Sequence, residues 1–439
     1  ATTDNGNWKI TFKNLPVAND DGVKYTYTVA ETKIGEKPVV DNAANGYAVS
    51  VDSVNPLHIT NTPETATLKI EKNWNGVENT DIPNGDVTFA IVGEVGTNGE
   101  KTTVINTSAT VIADGGWETS ITLPKYWKGQ EITYTVGETN IPEGYEVSYQ
   151  VNGENKTATE VTWTPAESGE QSLWGAVINW ITGQSSAVTG DITVTATNTL
   201  QTADIQFTKS YSGGVLDGNT SNKTDAELAQ FTLTAAGETG ITLTRDGNVY
   251  KTANGALKYG VVYTLSETTV PTGYTPMADK YLKLTKDTNG SYKVVEYTDA
   301  NGNETKAGGL SATVDTSGVA NLTPDNNSIV NNVIKGKFTF TKAFNSTIPG
   351  KAPTFKVYEA TNNNGSYSYT KTEEPFATVT DTDQDRSYTI SNLECGKYYA
   401  VVEDNVVNYE PLTFYLSVQP DGDDTDSIPD VTVEQTLVN

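Results

Sequence analysis

Apolar positions in this chain recur at every second residue, the period of a half-buried β-strand, whose successive side chains point to opposite faces. The runs Leu68, Ile70, Trp74 and Ile205, Phe207, Tyr211 and Phe338, Phe340, Phe344 all show it. A five-residue pattern, Tyr-x-[Val/Leu]-x-Glu, recurs four times: Tyr27 to Glu31, Tyr134 to Glu138, Tyr263 to Glu267 and Tyr399 to Glu403. Alternation puts each glutamate on the apolar face, where an unpartnered carboxylate is costly. Each must be neutral or have a partner.

The same rule supplies the partners. Lys72 shares a face with Leu68, Ile70 and Trp74, Lys209 with Ile205, Phe207 and Tyr211, and Lys342 with Phe338, Phe340 and Phe344. Asn61 follows Leu57 and Ile59 in alternation, Asn198 follows Ile192, Val194 and Ala196, and Asn439 follows Val431, Val433 and Leu437. In the third unit either Asn331 or Asn332 can take the apolar face, and alignment on an Ile-x-Asn pattern favours Asn331. One inward lysine alone reads better as a slipped edge position, since lysine is almost never fully buried. The coincidence of Lys, Glu and Asn in three units reads instead as a set.

The glutamates lie about one sandwich domain apart, on the order of 100 residues. The expected fold is all-β: tandem Ig-like, prealbumin-like β-sandwich domains in an elongated rod, with units at 1–63, 64–200, 201–335 and 336–439. The Glu-to-Asn interval is about twice as long in the two inner units as in the outer ones. In the second unit Leu173 to Ile181 carries Trp174, Val177, Ile178 and Ile181 at helical spacing, predicting a short amphipathic helix. In the third, Tyr281 to Tyr297 predicts a hairpin around Asn289-Gly290. The first unit has Glu31 and Asn61 without an upstream lysine. That points to a fragment of a longer protein, the plainer account, or to a strand entering in trans.

Burial gives the three residues a chemistry. Desolvation lowers a lysine's pKa and raises a glutamate's, and a neutral amine can attack an asparagine carbonyl, expelling ammonia while the glutamate shuttles protons. Folding supplies the proximity. The product is a neutral Lys–Asn amide tying the first strand to the last, made once and not turned over.

Composition and charge narrow the class. A net charge of −26 leaves no basic surface for nucleic acid or anionic membranes, and no apolar run reaches the length of a membrane span. The single cysteine, Cys395, cannot form an internal disulfide; it reads as a reduced, partly buried residue. With one histidine, His58, read as structural, no Ser-His-Asp or Cys-His set can be assembled. Asp381 to Asp385 begins like a calcium loop but has Arg386 and Asn392 where glycine and glutamate belong, and reads as a solvated turn. Asp421 to Asp426 also lacks ligand spacing. Leu123-Pro-Lys-Tyr126 reads as a strand-to-loop segment, and no sortase-type or pilin Tyr-Pro-Lys-Asn motif is present. No metal or cofactor is implied.

Trp117 to Tyr126, Tyr134 to Tyr145, Tyr263 to Tyr274 and Ile59-Thr-Asn-Thr62 together resemble Cna B-type repeats, the collagen-adhesin B domains of Gram-positive surface proteins and fimbrial pilins. The resemblance covers essentially the whole chain. It implies the prealbumin-like sandwich and intramolecular isopeptide bonds Lys72–Asn198 with Glu138, Lys209–Asn331 with Glu267, and Lys342–Asn439 with Glu403. The fourth unit departs: Asn392 to Tyr398 fits the family, but the Pro-x-Gly-Tyr segment after the glutamate is missing. The expected function is a structural stalk or shaft segment of an extracellular, cell-wall-anchored adhesin or pilus, with other domains or subunits of the fibre as partners. The alternative is an adhesive module binding a host protein or carbohydrate through the inner insertions, where Trp174 or Trp180 would contribute. Deleting residues 170–184 would separate the two.

Overall fold

The computed structural model describes residues 2–4, 7–77, 82–83, 85–96, 99–157, 160–165, 190–322, 329–344, 352–371, 374–404, 409–420 and 431–436. The chain divides into two compact units, Ala1–Leu200 and Gln201–Asn439. Among the described residues the regular secondary structure of both is almost wholly β-strand. The expected helix around Leu173 to Ile181, with Trp174 and Trp180, and the stretch Asp421 to Asp426 lie outside the described residues.

In the first unit, residues 65–200 form a two-layer sandwich. A five-stranded sheet runs in the order Glu118–Pro124, Thr65–Asn75, Ile192–Leu200, Tyr145–Val151, Glu154–Lys156. A four-stranded sheet runs Thr102–Val111, Val87–Val95, Thr133–Glu138, Val161–Trp163. Alternation decides what each layer buries: Leu68, Ile70, Val194 and Ala196 from one meet Phe89, Ile91, Tyr134 and Trp163 from the other. Thr65–Asn75 and Ile192–Leu200 are parallel neighbours, with Ala196 opposite Lys72 and Asn198 opposite Trp74. The first and last strands of the sandwich therefore lie side by side. Leu123 and Pro124 close one strand, and Tyr126 lies in the short strand that follows.

The first 63 residues depart from expectation. Tyr27 to Glu31 lies outside every strand; Tyr27 is 40% exposed and its hydroxyl donates to the Pro16 carbonyl. Glu31 is only half-buried, and Asn61 is exposed in Ile59–Pro63, opposite Val49. The predicted inward set of Glu31 and Asn61 is thus not assembled. Alternation selects a buried face only where a second layer covers it, and among the described residues none covers this segment: Trp8, Ile10, Phe12 and Tyr25 are exposed too. His58, just before Ile59–Pro63, is exposed and faces Asp52 at 3.9 Å.

In the second unit the strand pairings fall into two sets. Residues 202–332 build a six-stranded sheet, ordered Ile241–Thr242, Gln230–Thr234, Val262–Thr269, Lys280–Lys286, Tyr292–Tyr297, Ser311–Thr313. Facing it, Thr202–Thr208 pairs with Val249–Lys251, Leu257–Lys258 and Val319–Asn321, and Ser210–Ser212 pairs parallel to Val330–Asn332. Phe207, Phe231, Tyr250 and Leu265 fill the space between. The predicted hairpin is present: Lys280–Lys286 and Tyr292–Tyr297 pair antiparallel around a turn in which Gly290 N–H donates to the Asp287 carbonyl. Its far side is clasped by Glu296, which is 1% exposed and accepts from Lys306 Nζ at 2.7 Å and Leu310 N–H at 2.9 Å, with Lys280 Nζ at 3.5 Å.

The second set pairs Lys335–Thr341 with Ser387–Glu394, and orders Ser366–Tyr369, Thr354–Asn363, Tyr398–Asp404, Thr413–Pro420, Val431–Thr436 in one sheet, with Ala377–Thr380 also on Thr354–Asn363. Phe355, Tyr388, Ile390, Tyr399 and Leu416 are its core. The two sets interlock. Cys395 is 3% exposed, more deeply buried than its sequence context suggests, and packs into the core of residues 203–334. Its N–H donates to the Ile334 carbonyl, and Gly214 N–H donates to Glu394 Oε2 at 2.9 Å. Gly273 has φ +84°, and a Cβ there would lie 2.6 Å from Cys395 Sγ. Burial pushes the Cys395 thiol up, away from the reactive thiolate.

Candidate functional site

In the 65–200 sandwich, three strands each aim one polar side chain into the core. Lys72 comes from Thr65–Asn75, Glu138 from Thr133–Glu138 and Asn198 from Ile192–Leu200. The side chains of Lys72 and Glu138 are wholly buried, as is Asn198. Asn198 Nδ2 donates to Glu138 Oε1 at 2.8 Å, and Lys72 Nζ lies 3.8 Å from Glu138 Oε2. Lys72 Nζ is steered by two carbonyls, Asn73 O at 2.8 Å and Ala196 O at 3.5 Å. Asn198 Oδ1 and Glu138 Oε2 are buried without a hydrogen-bond partner, which is costly unless chemistry uses them.

The third sandwich repeats the asparagine–glutamate and lysine–carbonyl contacts of this site. Lys209 sits at the break between Thr202–Thr208 and Ser210–Ser212, and Asn331 lies opposite Tyr211 in the parallel pairing. Lys209 Nζ donates to Ser210 O at 3.0 Å and Ile329 O at 3.4 Å. These are the counterparts of Asn73 and Ala196: the residue after the lysine and the residue two before the asparagine. Asn331 Nδ2 donates to Glu267 Oε1 at 2.5 Å, and Asn331 Oδ1 is again buried without a partner. Asn331 is fully buried while Asn332 is exposed, which decides between the two candidates. Glu267 Oε2 also accepts from Met277 N–H at 2.6 Å.

The electrostatics follow from burial. Desolvation pulls Lys72 down to about 8 despite Glu138 nearby, and Lys209 to about 8 despite Glu267. Desolvation likewise raises Glu138 and Glu267 above the ordinary carboxylate range, against the hydrogen bonds from Asn198 and, for Glu267, from Met277 and Asn331. The pair can therefore exist as amine and carboxylic acid without leaving the core.

The fourth site differs. Lys342 Nζ lies 3.0 Å from Glu403 Oε1 and 3.1 Å from Oε2, with the lysine side chain 16% exposed. Glu403 Oε2 accepts from Leu412 N–H at 2.9 Å, as Glu267 does from Met277. Asn439 lies outside the described residues. Among the described residues, no group of three or more His, Cys, Asp or Glu is placed to hold a metal ion, and no helix is long and apolar enough to cross a membrane.

Alternation found the three polar residues and put one aromatic ring on each lysine's face, but not the second ring that meets it. Lys72 Nζ lies 4.3 Å from the Trp74 ring centre, Lys209 4.9 Å from Tyr211 and Lys342 5.2 Å from Phe344. A second ring meets the first edge-on: Tyr145 on Trp74, Tyr274 on Tyr211 and Tyr409 on Phe344. The signal for the first ring was in the sequence, an aromatic two residues after every lysine.

Residues 1–62 and 68–164 match the family profile described as Cna protein B-type domain. No curated protein sequence matches the chain. Among solved structures, the Bacillus anthracis TIE protein is similar at 17% identity, over 81% of this chain and 49% of its own, with a TM-score of 0.37. The pilus adhesin SpaC from Lactobacillus rhamnosus GG is similar at 17% identity, over 86% of this chain and 40% of its own, with a TM-score of 0.27. Two B repeat units of the collagen binding protein of Staphylococcus aureus are similar at 17% identity, over 98% of this chain and 88% of theirs, with a TM-score of 0.24. The chain spans about half or less of the first two of these proteins. Residues 1–62 and 68–164 are thus each similar to a Cna protein B-type domain.

Proposed function

We propose that this chain is a structural stalk or shaft segment of a Gram-positive cell-surface adhesin or pilus, braced by Lys–Asn isopeptide bonds that its own domains form. The observation that carries the reading is a buried lysine recurring beside a buried asparagine that is hydrogen-bonded to a glutamate, Lys72 with Asn198 and Glu138, and Lys209 with Asn331 and Glu267. A surface role for the family's pilus and adhesin relatives supports the setting.

In each site the neutral lysine Nζ attacks the asparagine Cγ, forming the new C–N bond. The glutamic acid lends its proton to the carbonyl oxygen, and the lysine's proton passes through the carboxylate to Nδ2. The Cγ–Nδ2 bond breaks and ammonia leaves. No charge remains in the core. Each site reacts once, because the lysine amine and the asparagine amide that it attacks are both side chains of this chain and are consumed in the bond.

The test is intact mass. The protein is expected to weigh less than its sequence by one ammonia per bond, and Glu138→Ala is expected to restore one. A full, unmodified mass would overturn the reading.

A further inference from the structure

We propose that the two aromatic rings at each site are positioning residues for the cross-link, the first holding the lysine Nζ on its face and the second sealing that end of the core. This rests on the isopeptide reading above. The first ring is placed by strand geometry, since residues i and i+2 share a face: Trp74 beside Lys72, Tyr211 beside Lys209, Phe344 beside Lys342. The second ring comes from the chain that follows the glutamate strand and meets the first at centroid distances of 5.3, 5.4 and 5.3 Å and interplanar angles of 84°, 71° and 61°.

The fourth site separates this from incidental core packing. Its loop has lost the Pro-x-Gly-Tyr spelling that supplies Tyr145 and Tyr274, yet Tyr409, at a different distance from its glutamate, restores the same edge-on contact. A contact kept when its motif is lost is tied to the site. Trp74 and Phe344 are also only partly buried, so those two pairs stand at the rim of their cores, where water would enter, while Tyr211 and Tyr274 lie within theirs.

The ring does what a polar neighbour could not. Its face packs against Nζ, and attracts it when charged, without taking any of its hydrogen bonds. The donors of Nζ are left for Asn73 O and Ala196 O at the second site and Ser210 O and Ile329 O at the third. Those carbonyls fix the direction, and the ring fixes the depth.

The experiment uses the full chain recovered unreacted from inclusion bodies and diluted out of guanidinium at pH values between about 6 and 10. Ammonia loss is followed by intact mass and located by peptide mapping. Trp74→Leu fills the space with an apolar side chain but no ring face; Trp74→Phe keeps a face. The expected result is that Trp74→Leu slows the Lys72–Asn198 bond about tenfold, because Nζ is no longer held at the depth from which it attacks, while Trp74→Phe recovers most of the rate. The alkaline fall-off of the rate should move to lower pH in Trp74→Leu, because the ammonium has lost a partner while staying buried. Equal rates and pH profiles for wild type and Trp74→Leu would overturn the proposal and leave the cross-link reading standing. No ammonia loss from wild type would overturn the cross-link reading itself. Should Trp74→Leu fail to fold, Tyr211→Leu against Tyr211→Phe puts the same question to the Lys209–Asn331 bond.

Discussion

At the scale of single residues, pH is the control variable. Amine plus carboxylic acid carries the same number of protons as ammonium plus carboxylate, so bond formation at the Lys72 site should be nearly flat with pH between the raised Glu138 pKa, below which a second proton blocks the amine, and about 8. Above that value the shared proton is lost, the glutamate can no longer donate, and the rate should fall. A rate that climbs steadily from pH 8 to 10 would contradict the glutamate's role. A second prediction concerns Asn198→Ala, which leaves Lys72 unreacted. Lys72 is held at about 8 when folded against an ordinary 10.5, so the unfolded chain binds more protons between those values. The variant's stability should rise with pH across that window, whereas the cross-linked protein should not share the trend; urea melts at pH 8 and pH 10 would show it. Much of this was legible beforehand, because alternation alone carries Lys72, Lys209, Asn198, Glu138 and Glu267 inward. It could not choose between Asn331 and Asn332, since that depends on which residue faces Tyr211 across a parallel pairing set by distant strands.

At the scale of elements, two buried contacts carry more than their size suggests. Glu296 ties the Tyr292–Tyr297 strand to Lys306 and to the Leu310 N–H, with Lys280 beneath. Glu296→Ala strands the nearly buried Lys280 without its carboxylate and should cost about 3–5 kcal/mol, read as a lower midpoint for unfolding of the second unit. Gly273 is the other. At φ +84° with Cys395 Sγ in the path of any Cβ, Gly273→Ala should destabilise by about 1–3 kcal/mol, and Cys395→Ala in the same chain should return the part due to the clash. The hairpin between Lys280 and Tyr297 was readable from its turn residues. The failure at Tyr27 to Glu31 was not, because the pattern there is as good as in the other units and only the covering layer differs. Tyr409 was hidden for the opposite reason: its ring does the work of a motif whose letters are gone.

At the scale of the whole molecule, the repeat predicted all-β sandwiches because every unit spends its apolar residues in the same alternating way. The strand pairings within residues 65–200 and 202–436 follow from that habit. A Lys72–Asn198 bond would take residues 73–197 out of the load path, hiding roughly 400 Å of extendable chain at about 3.3–3.6 Å per residue. Single-molecule stretching of wild type against Glu138→Ala should differ by that length, and an equal extension would contradict a closed bond. The parallel pairing of Thr65–Asn75 with Ile192–Leu200 has a consequence even without that bond. Tension entering ahead of Thr65 and leaving after Leu200 pulls the two strands along each other from opposite ends, so the rungs from Leu68–Ile192 to Asn75–Thr199 share the load in shear and must rupture together.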